Sequence, residues 1–498
     1  MPKMLTQKAM DSMIWSVCDI MRRSNRASAL QYVPETTWIL FLRIFDEMEQ
    51  NDEAKADILG VPYNPAIEAP YRWRDWASPA GDKRKELQDG SLGLVLAFVN
   101  SEVLPRLRGL KDQPESTWKQ KVVSQILSGV EKVGLDSERN FLDVLDKIDE
   151  IRAADIDPTH TFAISQVYEH LLLRMGEKAG DGGQFFTPRE VIRFAVQVVN
   201  PHVGETVYDP ACGTGGFLAQ AYEHMRDGMG GQASAEQVET LGLHTFYGRE
   251  KEDLIYPVCL ANLVLHGIER PNIWHGNSLT GKASYAGLWA DAPAQFKVIL
   301  ANPPFGGKEG EDAQTLFAYK TGATQILFLQ HMIDALEPGG RAGIVIDEGS
   351  LFRTNEQAFV QTRRKLLDEC DLECVVSLPG GVFTAVGAGV KTNLLFFTKG
   401  KPTEKVWYYD LSDLKVSKKS LLTADQFAEF FALRPTHADS EHSWTVSRSE
   451  IEANGYSLKA VNPNRREEID ERTPEELIAL IEEQSKIILD AMSRLREK

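Results

Sequence analysis

The sequence predicts an α/β protein: a doubly wound sheet of alternating strands and helices, with a helical domain before it and a helical tail after it. Three observations carry this expectation. Residues 1–150 show apolar residues at helical spacing alone. From about residue 160, short apolar runs alternate with helical stretches. The chain then ends on a helix-start signature at Thr473 followed by apolar residues at steps of four and three.

In the first part, Met10, Met13, Ile14, Val17, Cys18 and Met21 recur at i, i+3/i+4, and residues 38–48 continue in the same manner. Pro62, Pro65, Pro70 and Pro79 break the middle into loops, and residues 92–103 and 118–133 read as helices again. No repeat and no chemical motif falls here, so a packing or partner-binding domain is expected over 1–150. Residues 162–175 then form an amphipathic helix pattern, followed by the glycine-rich stretch 176–183. Strands are expected at 206–208, 244–247, 296–300, 343–346, 375–378 and 394–397, with helices at 217–226, 251–265, 323–336 and 356–370. Such alternation implies a parallel sheet over 151–430, with ligands beyond the carboxyl ends of its strands. Residues 431–472 are polar and irregular. After them, Thr473-Pro474-Glu475-Glu476 offers an N-cap, a proline at the first helical position and a capping-box acid. Leu477, Ile481, Gln484, Ile488, Ala491 and Leu495 then form a seam that fits either a partner helix or an ordinary packed one.

Composition sets bounds on function. The 498 residues carry 55 Lys plus Arg against 72 Asp plus Glu, a formal charge of −17, and are 43% apolar. That excludes wholesale disorder, and it argues against a chain that grips DNA alone, because phosphate contacts come mainly from Lys and Arg. The segments 1–150, 151–430 and 431–498 are each net negative. Cysteines 18, 212, 259, 370 and 374 contain no C-x-x-C pair, so reduced thiols and no zinc site are expected. Asp11 and Asp19 interrupt the first apolar pattern, which is therefore no signal peptide, and no run is suited to span a bilayer. A cytoplasmic protein is expected.

Three motifs carry chemistry. In Asp209-Pro210-Ala211-Cys212-Gly213-Thr214-Gly215-Gly216, a strand ends in an acid, enters a glycine-rich turn and opens a helix. Glycines admit close approach of a ligand to the backbone, and the helix start favours a carboxylate or phosphate. Without G-K-[ST] it is not a P-loop, and alone it fits several nucleotide-like cofactors or a tight turn. Glu250 ends the next strand, where a carboxylate commonly binds ribose hydroxyls; the alternative is one of three acids on a solvated helix start.

The second motif, Asn302-Pro303-Pro304-Phe305, follows an apolar strand. An exocyclic aromatic amine is a poor nucleophile because its lone pair is delocalised into the ring. An amide oxygen from Asn302 and the Pro303 carbonyl can each accept one of its N–H bonds, drawing the nitrogen towards sp³. Pro303 and Pro304 stiffen the backbone, and Phe305 offers a face for a base, a contact worth about 1–3 kcal/mol in single-strand binding. The third motif is Gln184-Phe185-Phe186-Thr187-Pro188-Arg189-Glu190. Thr187, Pro188 and Glu190 make a capping box, and the paired aromatics also suit a flap over an adenine ring. The histidines are scattered without ligand spacing, so a metal-free transfer is expected.

Together these motifs resemble the methyltransferase (modification) subunit of type I restriction-modification systems, over nearly the whole chain. The resemblance implies a Rossmann-like S-adenosylmethionine-dependent methyltransferase domain of the N6-adenine family, with the cofactor loop preceding N-P-P-F. In that family the run matching Gln184 to Arg189 and the glycine loop hold S-adenosylmethionine, so Gln184, Phe185, Phe186, Thr187, Pro188, Arg189, Asp209, Gly213, Thr214, Gly215 and Gly216 are the expected contacts. Glu250 falls on the ribose and Asn277 beside the cofactor adenine. Asn302, Pro303, Pro304 and Phe305 fall on an adenine flipped out of duplex DNA. The resemblance also implies a specificity subunit, an ATP-dependent nuclease/translocase restriction subunit and a second copy of the methyltransferase subunit as partners. Methylation of the cytosine amino group or of protein glutamine uses similar chemistry, and an inactive scaffold is the non-enzymatic alternative.

Overall fold

The computed structural model describes residues 7–26, 29–151, 187–230, 233–281, 292–383, 390–416, 420, 422–459, 461–464, 473 and 477–486. The expected amphipathic helix at 162–175, the stretch 176–183 and Gln184, Phe185 and Phe186 lie outside them.

The helical spacing of the first part has a direct physical origin. Ile14, Val17, Cys18 and Met21 line the buried stripe of the helix Gln7–Ser24, which packs on the long helix Ala29–Leu59. The helix expected at 92–103 is a composite: Leu94–Phe98 continues into a π-helical turn, Val99–Val103. Trp118–Ile126 starts on a Thr117/Gln120 capping box and stops short of the expected residue 133. Glu138–Asp149, capped by Ser137, buries Phe141, Val144, Leu145 and Ile148 along one face.

A sheet follows, with nine strands among the described residues. In chain order they are β1 Val207–Asp209, β2 Phe246–Glu250, β3 Asn272–His275, β4 Phe296–Ala301, β5 Leu336–Asp347, β6 Cys370–Ser377, β7 Thr392–Lys399, β8 Lys405–Asp410 and β9 Ser443–Ser447. Their spatial order is β3-β2-β1-β4-β5-β7-β6-β8-β9. From β3 to β5 every pairing is parallel, as the alternation of strands and helices requires. The all-parallel expectation fails at β7, which runs antiparallel between β5 and β6, and at β9, antiparallel on β8. Burial on both faces makes a strand a continuous apolar run in either direction, so the sequence pattern does not encode its polarity.

The stretch 431–472 is also more regular than expected. It contains β9, whose Trp444 stacks on Tyr408 at 5.3 Å, and the helix Arg448–Ala453 behind a Ser447/Glu450 capping box. Residues 477–486 are helical, with Ile478, Leu480 and Ile481 exposed at 57%, 40% and 64%. The proposed seam positions Ile488, Ala491 and Leu495, and Pro474, Glu475 and Glu476 of the capping box, lie outside the described residues. Among the described residues no helix is long and apolar enough to cross a membrane.

Alternate residues of each strand feed two apolar clusters, one per face. One cluster is continuous with the N-terminal helices, because the helix Tyr256–Leu265 packs on both Ala29–Leu59 and Trp118–Ile126. The sheet thus brings the carboxyl ends of β1, β2, β3 and β4 to a single edge.

Candidate active site at the carboxyl edge of the sheet

At the end of β1, Asp209 is 1% exposed and its Oδ1 accepts the Ala211 N–H at 3.0 Å. The chain then turns through Gly213 (φ 53°) and Gly215 (φ 83°) into the helix Gly216–Met229. A left-handed φ suits glycine, and the space is tight: a Cβ on Gly215 would lie 3.0 Å from Leu263 and 3.1 Å from Cys259, so those side chains would have to give way.

Glu250, at the end of β2, is buried, which removes the solvated-helix alternative. Its Oε2 accepts the Gly213 N–H at 2.9 Å and its Oε1 the Glu252 N–H at 2.8 Å, so the carboxylate braces the glycine loop. A carboxylate has roughly four acceptor positions, so these two bonds leave capacity for ligand hydroxyls. Burial pushes Glu250 up to about 7 and Asp209 up to about 8.

After β3, Asn277 Oδ1 accepts the Leu279 N–H at 2.8 Å and its Nδ2 faces Glu309 Oε2 at 3.5 Å. After β4 comes Asn302, 8% exposed. Its Nδ2 donates to Thr187 Oγ1 at 2.9 Å, while its Oδ1 is buried without a hydrogen-bond partner among the described residues. Phe305 is partly buried and meets Phe383 edge-on at 6.3 Å. A cavity of ≈ 260 Å³ opens along this edge, walled by Pro210, Glu250, Asn277, Pro304, Phe305 and Phe328 among others. Asn302, the glycines of the loop and Thr187, Pro188 and Arg189 do not line it.

The capping box expected at Thr187 does not form. Pro188 occupies the N-cap of the helix Arg189–Val199 with no side-chain cap bond, and Glu190 pairs with Arg193 at 2.8 Å. The Thr187 hydroxyl turns to Asn302 instead, across 115 residues of sequence.

A family model described as N-6 DNA Methylase matches residues 160–472, more than half of the chain. The chain belongs to the N-6 DNA methylase family. Residues 10–148 match a second model, described as the HsdM N-terminal domain. The EcoEI methylase subunit of a type I restriction enzyme from Escherichia coli is 34% identical over 98% of this chain and 97% of its own length. The EcoKI methylase subunit from Escherichia coli K12 is 30% identical over 80% of this chain and 70% of its own. Among solved structures, the modification subunit of a putative type I restriction enzyme from Vibrio vulnificus superposes with a TM-score of 0.77 at 32% identity, covering 93% of this chain and 97% of that one.

Two further residues hold this edge together without any motif to announce them. Asn262 is 1% exposed in the otherwise apolar helix Tyr256–Leu265, and its Nδ2 donates to the Thr214 carbonyl of the glycine loop at 2.8 Å. The signal was present: a lone amide in a buried apolar helix demands a partner. Glu309, four residues past Phe305, accepts from Thr324 Oγ1 at 3.1 Å and ties the loop after N-P-P-F to the start of the helix Thr324–Ala335.

Proposed function

We propose that this chain methylates the N6 amino group of an adenine extruded from duplex DNA, with S-adenosylmethionine as donor. It acts as the modification subunit of a cytoplasmic type I restriction-modification complex. The observation that carries the reading is the buried, partnerless Oδ1 of Asn302 at the carboxyl edge of the sheet. Such an acceptor is costly to leave unmade, by about 1–3 kcal/mol, and an incoming N–H relieves that cost.

The donor set at this edge fits the cofactor. A glycine loop that runs through left-handed backbone into a helix start, and a buried strand-end carboxylate at Glu250 with acceptor capacity to spare, suit a nucleoside bearing a charged chain. Asp209, Gly213, Thr214, Gly215 and Gly216 form the loop that would hold it, Glu250 its ribose and Asn277 its adenine, flanked by the run 184–189. Bound there, S-adenosylmethionine supplies an electrophilic methyl group.

The chain's own residues do the rest. Asn302 Oδ1 and the Pro303 carbonyl each accept one N–H of the target amine, which frees its lone pair from the ring. Pro304 and Phe305 wall the cavity and give the base a flat surface. As the nitrogen bonds to the methyl carbon, the donor's S–CH3 bond would break and a neutral thioether would leave; the nitrogen becomes cationic and then loses one of its two protons to solvent. The two acceptors already hold its protons and stabilise the developing charge.

Residues 1–150 and the tail beyond residue 472 flank this methyltransferase domain as assembly parts, since β9 belongs to the domain's own sheet and the helix Arg448–Ala453 follows directly on it. A specificity subunit selects the DNA sequence, and a second methyltransferase copy and a restriction subunit complete the complex. With a charge of −17, the chain leaves most of the DNA grip to those partners. The test is Asn302→Ala in the assembled complex. Cofactor binding is expected to persist in the variant while most methyl transfer disappears, and a digest of DNA treated with the wild-type complex is expected to yield methyladenine. Full activity of the variant, or methylcytosine in the digest, overturns the reading.

A further inference from the structure

We infer that Glu309 is a specificity-determining residue for the cofactor: its carboxylate accepts an N–H of the adenine 6-amino group. The inference rests on the S-adenosylmethionine reading given above and goes beyond it, because Glu309 lies past N-P-P-F and belongs to none of the three motifs. An adenine ring presents ring nitrogens that accept and one amino group that donates. A pocket that recognises this edge needs a donor and an acceptor side by side.

The cavity at the carboxyl edge of the sheet holds such a pair. Asn277 is fixed in orientation, because its Oδ1 accepts the Leu279 N–H at 2.8 Å and a main-chain N–H can only donate. Its Nδ2 is therefore the atom turned towards Glu309. That group suits a ring nitrogen and cannot accept from an amine. Glu309 Oε2 stands 3.5 Å from this Nδ2 and supplies the acceptor that Asn277 lacks. At that length the contact between them is weak, so both groups keep capacity for a ligand. Of the other carboxylates on the cavity wall, Glu250 braces the glycine loop and Glu252 is exposed to water.

The fold also holds the Glu309 carboxylate in place. Its main-chain N–H donates to the Gly322 carbonyl at 2.9 Å, its own carbonyl accepts from Gln314 Nε2 at 2.8 Å, and its Oε1 accepts from Thr324 Oγ1 at 3.1 Å. Thr324 approaches the loop so closely that a Cβ on Gly307 would lie 2.6 Å from its hydroxyl oxygen. With Oε1 engaged, Oε2 is the oxygen left for a ligand, and Ala211 and Phe328 add apolar wall that suits a ring.

The test crosses the residue with the ligand group it reads. Calorimetric titration of the full-length chain uses S-adenosylhomocysteine and its analogue with hydrogen in place of the 6-amino group. Wild type is expected to bind the analogue about tenfold to a hundredfold more weakly. In Glu309→Ala the two ligands are expected to bind within about threefold of each other. Glu309→Gln, whose amide oxygen still accepts, is expected to keep part of the preference. Each ratio is taken within one protein, so a general loosening of the loop cancels from it. An undiminished preference in Glu309→Ala overturns the proposal, and so does a wild type that does not distinguish the ligands. If Glu309→Ala fails to fold, Glu309→Gln decides: a preference as large as that of wild type overturns the proposal. Binding of neither ligand by wild type is a separate result, which removes the proposed cofactor and this inference with it.

Discussion

Asn262→Leu isolates the bond between the glycine loop and the helix behind it. Leucine matches asparagine closely in size, so the buried helix Tyr256–Leu265 keeps its packing on Ala29–Leu59 and Trp118–Ile126. What disappears is the 2.8 Å bond from Nδ2 to the Thr214 carbonyl, which then lies without its donor, at a cost of about 1–3 kcal/mol. A second effect runs the other way. Asn262 Oδ1 is itself buried without a hydrogen-bond partner, and removing it relieves a cost of the same order. The two nearly cancel in overall stability but not in the loop, which loses its tether and gains nothing. The expected signature is therefore split: S-adenosylhomocysteine affinity falls about fivefold to 150-fold, equivalent to about 1–3 kcal/mol, while the melting temperature moves by no more than about 2–4 °C. Calorimetric titration and a thermal scan read the two quantities separately. Unchanged affinity would refute the reasoning, as would a large drop in melting temperature with affinity intact.

Three further perturbations follow from the same edge of the sheet and from the tail. Gly215→Ala forces an L side chain to φ 83° with its Cβ 3.0 Å from Leu263; a loss of cofactor affinity of at least about tenfold is expected, and equal affinity would mean the loop has another conformation. Burial holds Glu250 up to about 7 and Asp209 up to about 8, so the cofactor-free fold favours their neutral forms. Its stability is expected to be whole at acid pH and to fall as pH rises towards about 8, while affinity for cationic S-adenosylmethionine rises over the same window with proton release; flat melting temperatures and flat affinities from about pH 5 to about 9 would contradict this. Deleting residues 473–498 is expected to weaken co-purification with the specificity subunit more than cofactor binding, and unchanged co-purification would count against a partner helix.

Sequence patterns revealed elements where burial has a period. β1, β2 and β4 to β7 stand within a few residues of the apolar runs that mark them, and the buried stripe Ile14, Val17, Cys18, Met21 has helical spacing. Polarity and composite geometry were not visible. Burial of β7 on both faces looks the same in either direction, and the π-helical turn Val99–Val103 continues the apolar run of the helix before it. β9 hides among polar neighbours because pairing and the Tyr408–Trp444 stack hold this edge, whereas β8 carries a buried run, Val406 to Tyr409, that was legible yet not among the expected strands. At the candidate site, strand ends and glycines were legible because their chemistry is local in sequence. The Thr187–Asn302 and Asn262–Thr214 bonds were not, since each joins residues far apart in the chain. A capping signature even pointed Thr187 the wrong way: a cap is a local bond, and a tertiary donor, Asn302 Nδ2, displaced it.

Three groups at this edge are poorly accommodated in the chain as it stands: the open Oδ1 of Asn302 and the buried carboxyls of Asp209 and Glu250. Each would be better served by a ligand than by the fold. A cationic nucleoside favours the ionised carboxylates, and an amine satisfies the amide oxygen. Elsewhere, buried Arg363 has its charge met by three main-chain carbonyls, so the fold can satisfy isolated buried groups when nothing else must bind there. Unpartnered buried atoms occur elsewhere among the described residues too, at Trp38 Nε1 and Tyr408 Oη for example, so what marks a site here is that such groups stand beside a cavity and a glycine loop. The net charge of −17 then has a narrower meaning than poor suitability for DNA. Acids near the glycine loop suit a cationic donor, and the phosphate backbone is left to other subunits. Tight, salt-sensitive DNA binding is accordingly expected only when the specificity partner is present.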